Sequence, residues 1–319
     1  MNADEQTTLS IVMPVYNAEN TLLRAVRSFD RLADFQRNIE LIVVDDASLD
    51  KSRALLDQLA LERSYMRVIG SKQNCGPGAA RSKGIKASNS RFIGFLDADD
   101  ELLAENYSNA LEECLAAKHD LVTFDSLVDY GSGYQSRYDK DRLTSDRQKL
   151  LKLCLRGQLD GCVMFSIFSR QMLGEANIKF GKYYFEDIEF NYKALLSANN
   201  MLVSNAVCYK KYNTEGSILN RCSALHINGL IGSALSVRDF VSLNFELDKS
   251  EIDRDFRYCL ADYVCCLLDG ICNQEDVGER EFLRQLLTEK IQSCGILETE
   301  PFELTAKGKK ANSFLLGGT

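Results

Sequence analysis

Three short clusters in this chain combine residue types that can do chemistry, and each stands directly after an apolar run. Pro14-Val15-Tyr16-Asn17 sets an aromatic ring between two turn-forming residues. Such a turn can hold the ring for stacking on a base, or it can be a turn and nothing more. Asp45 and Asp46 leave the run Val43-Val44, where a carboxylate could accept from a nucleobase imide or a ribose hydroxyl. Ser48 or Asp50, just behind them, is placed to cap the next helix. After Phe95-Leu96 come Asp97, Asp99, Asp100 and Glu101, four acids within five positions. They repel one another unless a cation or hydrogen-bond donors sit among them. Their oxygens suit Mg²⁺ or Mn²⁺, which can bridge a diphosphate, and an exposed acidic turn is the bland alternative.

Three further segments belong with these. Asn74 to Ile85 (NCGPGAARSKGI) is a glycine-rich entry to a helix, offering backbone N–H groups and placing Arg81 and Lys83 early on it. It contains neither a G-x-x-x-x-G-K-[ST] loop nor a G-x-G-x-x-G turn, which removes the main support for kinase and dehydrogenase readings. Glu186-Asp187, with Glu189, opens a helical pattern of Ile188, Tyr192, Leu195 and Leu196. Read from the residues alone, these acids complement the helix N-terminus. Lys210 and Lys211 lie in a basic and aromatic segment, Cys208 to Ile218, where they could meet a growing negative charge or stay solvated.

The elements that must position these residues alternate strand and helix. Leu9 to Pro14, Ile39 to Val44, Met66 to Ile69, Phe92 to Leu96 and Leu121 to Phe124 read as strands. Asn20 to Leu32, Ser52 to Leu61, Gly76 to Ala87 and Tyr107 to Ala117 read as helices, with Asn20 or Thr21 capping the first. This alternation predicts βαβ units and a mostly parallel sheet, whose ligands sit beyond the carboxyl ends of strands. From about Asn220 the pattern is helical only, with stripes at Ile227 to Val241, Phe256 to Ile271 and Phe282 to Ile291. The expected division is 1–219 and 220–319.

The chain has 319 residues, 45% of them hydrophobic and 26% charged, as in a globular protein with a substantial core. A net charge of −8 argues against general nucleic-acid binding. Eleven scattered cysteines, no C-x-x-C pair and two histidines give no zinc spacing and fit reduced thiols in the cytosol. No apolar run spans a bilayer. The expected location is therefore cytoplasmic, with the inner face of the membrane a further option. Lys307, Lys309 and Lys310 before Phe314-Leu315-Leu316 could give a peripheral membrane contact, or simply a polar tail.

In this order, the segments P-V-Y-N, V-D-D-A-S-L-D-K-S, N-C-G-P-G-A-A-R-S-K-G-I and F-L-D-A-D-D-E resemble the family-2 glycosyltransferases. The resemblance runs over residues 9–125 and more loosely to about 220. It implies a GT-A (Rossmann-like) α/β fold with a C-terminal helical extension. It also implies a nucleotide diphosphate-sugar donor such as a UDP-sugar, with Pro14, Tyr16, Asn17, Asp45 and Asp46 around the nucleotide, Tyr16 and Asp46 at its base. Asp97 and Ala98 would lie near the ribose, and Asp99 would reach Mn²⁺ or Mg²⁺ and the diphosphate. Asp100 could share or replace that metal role. Arg81 would orient the acidic cluster, Lys211 would close on the leaving group, and Asp187 would be the base toward a glycan or lipid-linked glycan acceptor in bacterial surface glycan assembly. Ser82 departs from the Asn that the family often has. The absence of tryptophan removes the Q-x-x-R-W motif of processive synthases, favouring single addition. A sugar-nucleotide nucleotidyltransferase and a non-catalytic nucleotide-sugar or glycan-binding module are the alternatives.

Overall fold

The structure is a computed structural model that describes residues 7–129, 134–136, 144–213 and 222–294. The lysine-bearing tail and Thr214 to Ile218 of the basic and aromatic segment lie outside the described residues. Among the described residues, nine strands form one sheet in the order β3-β2-β1-β4-β8-β6-β9-β5, with β7 paired to β6. They are β1 (Leu9–Val15), β2 (Ile39–Asp45), β3 (Met66–Gly70), β4 (Phe92–Phe95), β5 (Glu101–Leu102), β6 (Leu121–Asp129), β7 (Tyr134–Ser136), β8 (Ser166–Ser169) and β9 (Met201–Lys211).

The first four strands in space run parallel, linked by helices α1 (Leu22–Phe35), α2 (Ser52–Leu61) and α3 (Pro77–Ala87). The α/β expectation therefore holds where the site motifs lie. β8 runs antiparallel to both β4 and β6, so β6 points the same way as β4, and β9 is parallel to β6. The carboxyl ends of β1, β2, β4 and β9 thus face one edge of the sheet. This geometry brings Lys211 to the strand ends that carry the acids.

Two local details set the strand ends. Pro14, which the sequence offers both as the end of the first strand and as the start of a turn, lies inside β1, opposite Val44 of β2. The even-numbered residues of β1 direct their main chain toward β4, since Val12 O accepts from Leu96 N at 3.1 Å. Pairing with β4 ends at Val12, so the missing N–H of Pro14 costs no ladder bond. Gly84 on α3 packs against β1: a Cβ there would stand 2.2 Å from a methyl of Val12. Only a bare backbone lets the helix lie this close to the strand.

The chain divides into two compact units. The sheet unit comprises residues 1–145, 162–180 and 194–215; the other comprises 146–161, 181–193 and 216–319. The sheet unit is built on strands that are almost wholly buried, β1 and β2 above all, and it also holds α4 (Ala104–Ala116) and α6 (Arg170–Glu175). In the helical unit, α5 (Arg147–Leu155), α8 (Ala224–Asn244), α9 (Lys249–Cys272) and α10 (Val277–Ser293) accompany the first turns of α7 (Glu186–Ser197). Its core joins Ile227, Leu230 and Ile231 of α8 to Phe256, Val264 and Leu268 of α9 and Leu283, Leu287 and Ile291 of α10. The helical stripes expected from sequence are present, except that Phe282 is exposed and Leu283 takes its place in the core. No helix among the described residues is long and apolar enough to cross a membrane.

Candidate active site

The first two strand-end loops are tied together. Asn17 N donates to Ser48 Oγ (3.1 Å), and Asn17 Oδ1 accepts from Leu49 N (2.8 Å). Ala18 N donates to Ser52 Oγ (2.8 Å), Glu19 N to Asp50 Oδ2 (3.1 Å), and Lys51 N to Glu19 Oε2 (2.9 Å). Ser48, expected as a possible helix cap, is thus committed to the neighbouring loop, whereas Asp50 serves both, its Oδ1 accepting from Ser52 N, the first residue of α2, at 2.9 Å. Lys51 is the N-cap of α2, without a side-chain bond. Asn17 and Ala47 take positive φ (51° and 62°), a strain that this lacing offsets. Tyr16 stands nearly half exposed beside the laced turn.

Asp45 and Asp46 have separate surroundings. Asp45 Oδ1 accepts from Ser48 N (3.1 Å), and its Oδ2 lies 4.0 Å from Arg53. Asp46 Oδ2 accepts from Cys75 N and Gly76 N, both at 2.8 Å. These two N–H groups at the glycine-rich helix entry were expected to be free for a phosphate. They are instead used to hold Asp46. Gly76 takes φ 88°, which turns the entry toward this carboxylate. The other oxygen, Asp46 Oδ1, is buried with no hydrogen-bond partner. A buried carboxylate oxygen is costly unless it finds a donor, so an imide N–H would complete it.

Arg81 and Lys83, adjacent in expectation, diverge. Arg81 is buried and donates to Asp97 Oδ1 at 2.8 Å, while Lys83 reaches Gly70 O at 2.6 Å, at the end of β3 and away from the acids. Burial would raise the Asp97 carboxyl, but the charges of Arg81 and then Lys211, with the Arg81 hydrogen bond, hold it below its ordinary range. Glu101 leaves the cluster by entering β5, opposite Lys210 of β9. Asp97, Asp99 and Asp100 remain, each offering one oxygen, all within 4.8 Å of one another. Ala98 is buried between them. Three converging hard oxygens fit a small divalent cation such as Mn²⁺ or Mg²⁺.

Three residues that sequence reasoning gave no role fix this cluster. Tyr209 Oη donates to Asp100 Oδ2 (2.9 Å) and accepts from Asp97 N (3.1 Å). Its phenol is raised well above the ordinary value, by burial first and then by Asp100 and Asp97, so it remains a donor. Tyr212 N donates to Asp100 Oδ1 at 2.8 Å. Arg24 of α1 stacks 3.7 Å above the Tyr212 ring and donates to Asp99 O. The segment starting at Cys208 was expected to be a loop; Cys208 to Lys211 is instead the end of β9. No spacing in the sequence signals a contact between residues 97–100 and 209–212, because the pairing is made by strand order.

Asp100 is buried, and in the absence of a cation its carboxyl is pushed up to about 8. Burial is the largest cause, the charges of Asp97 and Asp99 add to it, and Lys211 and the Tyr212 N–H oppose it. The native state keeps a proton that the unfolded chain releases near 3.8, so stability falls as pH rises between these two values. In chelator, Asp100→Asn is therefore expected to raise Tm, by more at pH 8 than at pH 5. Thermal unfolding at the two pH values checks this, and an advantage that does not grow with pH contradicts it.

In the helical unit, Asp187 lies in the first turn of α7 and is partly exposed, with Oδ1 accepting from Ile188 N at 3.1 Å. Glu186 and Glu189 are buried, and Glu189 Oε2 pairs with Lys193 at 3.3 Å. Of the three acids, Asp187 is the least enclosed. The eleven cysteines are all free, most of them buried.

The fold has known counterparts. The family model for glycosyl transferase family 2 matches residues 10–175, which include the strand-end motifs and the acidic cluster. The succinoglycan biosynthesis protein ExoO of Rhizobium meliloti (strain 1021) is 27% identical over 242 residues, 72% of this chain and 68% of that protein. Among solved structures, S. aureus TarS 1–349 in complex with UDP-GlcNAc superposes with a TM-score of 0.73 at 20% identity, covering 97% of this chain and 88% of that one. The mannosyltransferase PcManGT of Pyrobaculum calidifontis, in complex with GDP-Man and Mn²⁺, gives 0.57 at 13% identity, covering 98% and 85%. At these identities the two structures speak for the fold, while the family model covers more than half of the chain. The chain belongs to glycosyl transferase family 2.

Proposed function

We propose that this protein is an inverting glycosyltransferase that moves a sugar from a nucleotide diphosphate donor, a UDP-sugar, to an acceptor hydroxyl. The observation that carries this reading is the trio Asp97, Asp99 and Asp100, held at the carboxyl edge of the sheet by Arg81, Tyr209 and Lys211. The unpartnered Asp46 Oδ1 gives the base an acceptor, and exposed Tyr16 gives it a ring, with Pro14, Asn17 and Asp45 shaping that pocket. TarS was solved with UDP-GlcNAc, which supports uridine as the nucleoside. PcManGT was solved with Mn²⁺, which supports a metal on Asp99 and its neighbours. The succinoglycan biosynthesis in the name of ExoO supports bacterial surface glycan assembly as the setting. A glycan or lipid-linked glycan acceptor, met at the cytoplasmic face of the membrane, is part of the same proposal.

In this reading Asp187 removes the proton of the acceptor hydroxyl as its oxygen attacks the anomeric carbon. The bond from that carbon to the diphosphate oxygen breaks, and the nucleoside diphosphate departs. Lys211 faces the charge that grows on the leaving group, and Arg81 keeps Asp97 ionised and oriented. A bound Mn²⁺ or Mg²⁺ supplies neutralisation of the diphosphate.

Incubation with a panel of nucleotide sugars and Mn²⁺ tests the assignment through slow hydrolysis. The expected result is release of UDP from one or a few uridine donors. Formation of UTP on adding pyrophosphate would instead identify a nucleotidyltransferase. Binding without any bond cleavage would identify a binding module.

A further inference from the structure

Resting on Asp187 as the base, we infer that helix α8 positions it: one face of α8 forms the seat that fixes the segment Tyr183-Tyr184-Phe185 leading into the base turn. Phe185 has φ 63°, a left-handed conformation that a bulky side chain adopts only when its surroundings impose it. Those surroundings are His226, Gly229, Gly232 and Ser233, with Ser236 one turn further along. Their three- and four-residue spacing puts them on one side of α8.

Each contact on this face fixes a different part of the segment. At Gly229 a Cβ would stand 2.3 Å from Tyr184 O and 2.9 Å from its carbonyl carbon, so main chain lies directly on main chain. At Gly232 a Cβ would lie 3.7 Å from the Tyr183 ring. Buried Ser233 donates its hydroxyl to Phe185 O at 2.8 Å. His226 meets the rings of Tyr184 and Phe185 edge-on, at 5.2 and 5.9 Å, and is itself held by Ser223 Oγ at 2.7 Å.

The far side of the base turn is tied to the same face. Lys193 donates to Ser236 Oγ (2.7 Å) and to Glu189 Oε2 (3.3 Å). Glu189 Oε1 in turn fills the space at Gly181, where a Cβ would stand 2.1 Å away. Asp187 is thus bracketed by Phe185 and Glu189, and both are anchored to α8. A helix of the helical unit thereby acquires a task in the chemistry. His226, Gly229, Ser233 and Ser236 are positioning residues, not catalytic ones.

Gly229→Ala pushes the Tyr184 carbonyl away and shifts the base, and a displacement near 1 Å can cost about 10²-fold in rate. Ser233→Ala removes one hydrogen bond without adding volume, and is expected to cost several-fold. Both variants are measured for kcat, donor KM, calorimetric UDP affinity and Tm, alone and combined with Asp187→Asn. The inference expects kcat to fall with UDP affinity unchanged, and the loss to vanish once Asp187 is Asn, because both changes act through one carboxylate. Wild-type kcat in both variants overturns it, and so does a loss of equal size in the two backgrounds. If Gly229→Ala does not fold, Ser233→Ala carries the same comparison. Asp187→Asn with wild-type turnover is a separate outcome: it removes the base assignment and, with it, the role of α8.

Discussion

Asp187→Asn is expected to lower turnover by about 10²–10⁴-fold and to leave UDP affinity unchanged. The amide keeps the size of the side chain and can still accept from Ile188 N, which Asp187 Oδ1 does at 3.1 Å, but it takes no proton. The contrast that gives the result meaning is Asp46→Ala. There Oδ2 is lost to Cys75 N and Gly76 N, and Oδ1 is lost to the base. A hydrogen bond to a charged group is worth about 1.5–3 kcal/mol, so UDP affinity is expected to fall about 10–100-fold. Calorimetric UDP titration beside turnover, on both variants, separates the two roles. Near wild-type transfer by Asp187→Asn would pass the base role to Glu186 or Glu189. Loss of UDP binding by the same variant would make the residue structural.

Chelation is the second large effect. EDTA is expected to abolish turnover, Mn²⁺ or Mg²⁺ to restore it, and Asp99→Ala to stay inactive whatever is added. The physical ground is the clustering of Asp97, Asp99 and Asp100 oxygens within 4.8 Å, with Asp100 already bonded on both oxygens to Tyr209 and Tyr212. Asp99 is less enclosed than Asp100, and its main-chain oxygen accepts from Arg24, which fixes where its carboxylate stands. Undiminished turnover in chelator contradicts the metal assignment. So does restoration of the Asp99→Ala variant by excess Mn²⁺.

The elements were largely legible in the sequence. Buried parallel strands such as β2 carry apolar runs like Leu41 to Val44, and the stripes of α8 to α10 follow the helical period. The motif residues were legible for a related reason: each stands where an apolar run stops. What resisted reading is what strand order creates. Tyr209 and Tyr212 meet Asp97 and Asp100 only because β9 is parallel to β6, and β8 reverses twice between β4 and β6. The fate of the Cys75 and Gly76 N–H groups was equally hidden, since Asp46 lies about thirty positions upstream. Pro14 stood in both readings for a local reason: whether a proline continues a strand or opens a turn depends on where the neighbouring strand stops pairing.

The lacing between residues 17–19 and 48–52 bears on attempts to re-engineer donor choice. Nucleotide preference in such a frame invites the exchange of one loop for that of a relative. Here each loop supplies partners for the other: Asn17 for Leu49, Glu19 for Lys51, and in return Ser48, Asp50 and Ser52 for Asn17, Glu19 and Ala18. A single-loop graft would leave donors and acceptors of the resident loop unmatched and would release the strained turns at Asn17 and Ala47. The transferable module is therefore the pair, with everything from Tyr16 through Ser52 moved together, including the α1 and β2 between them.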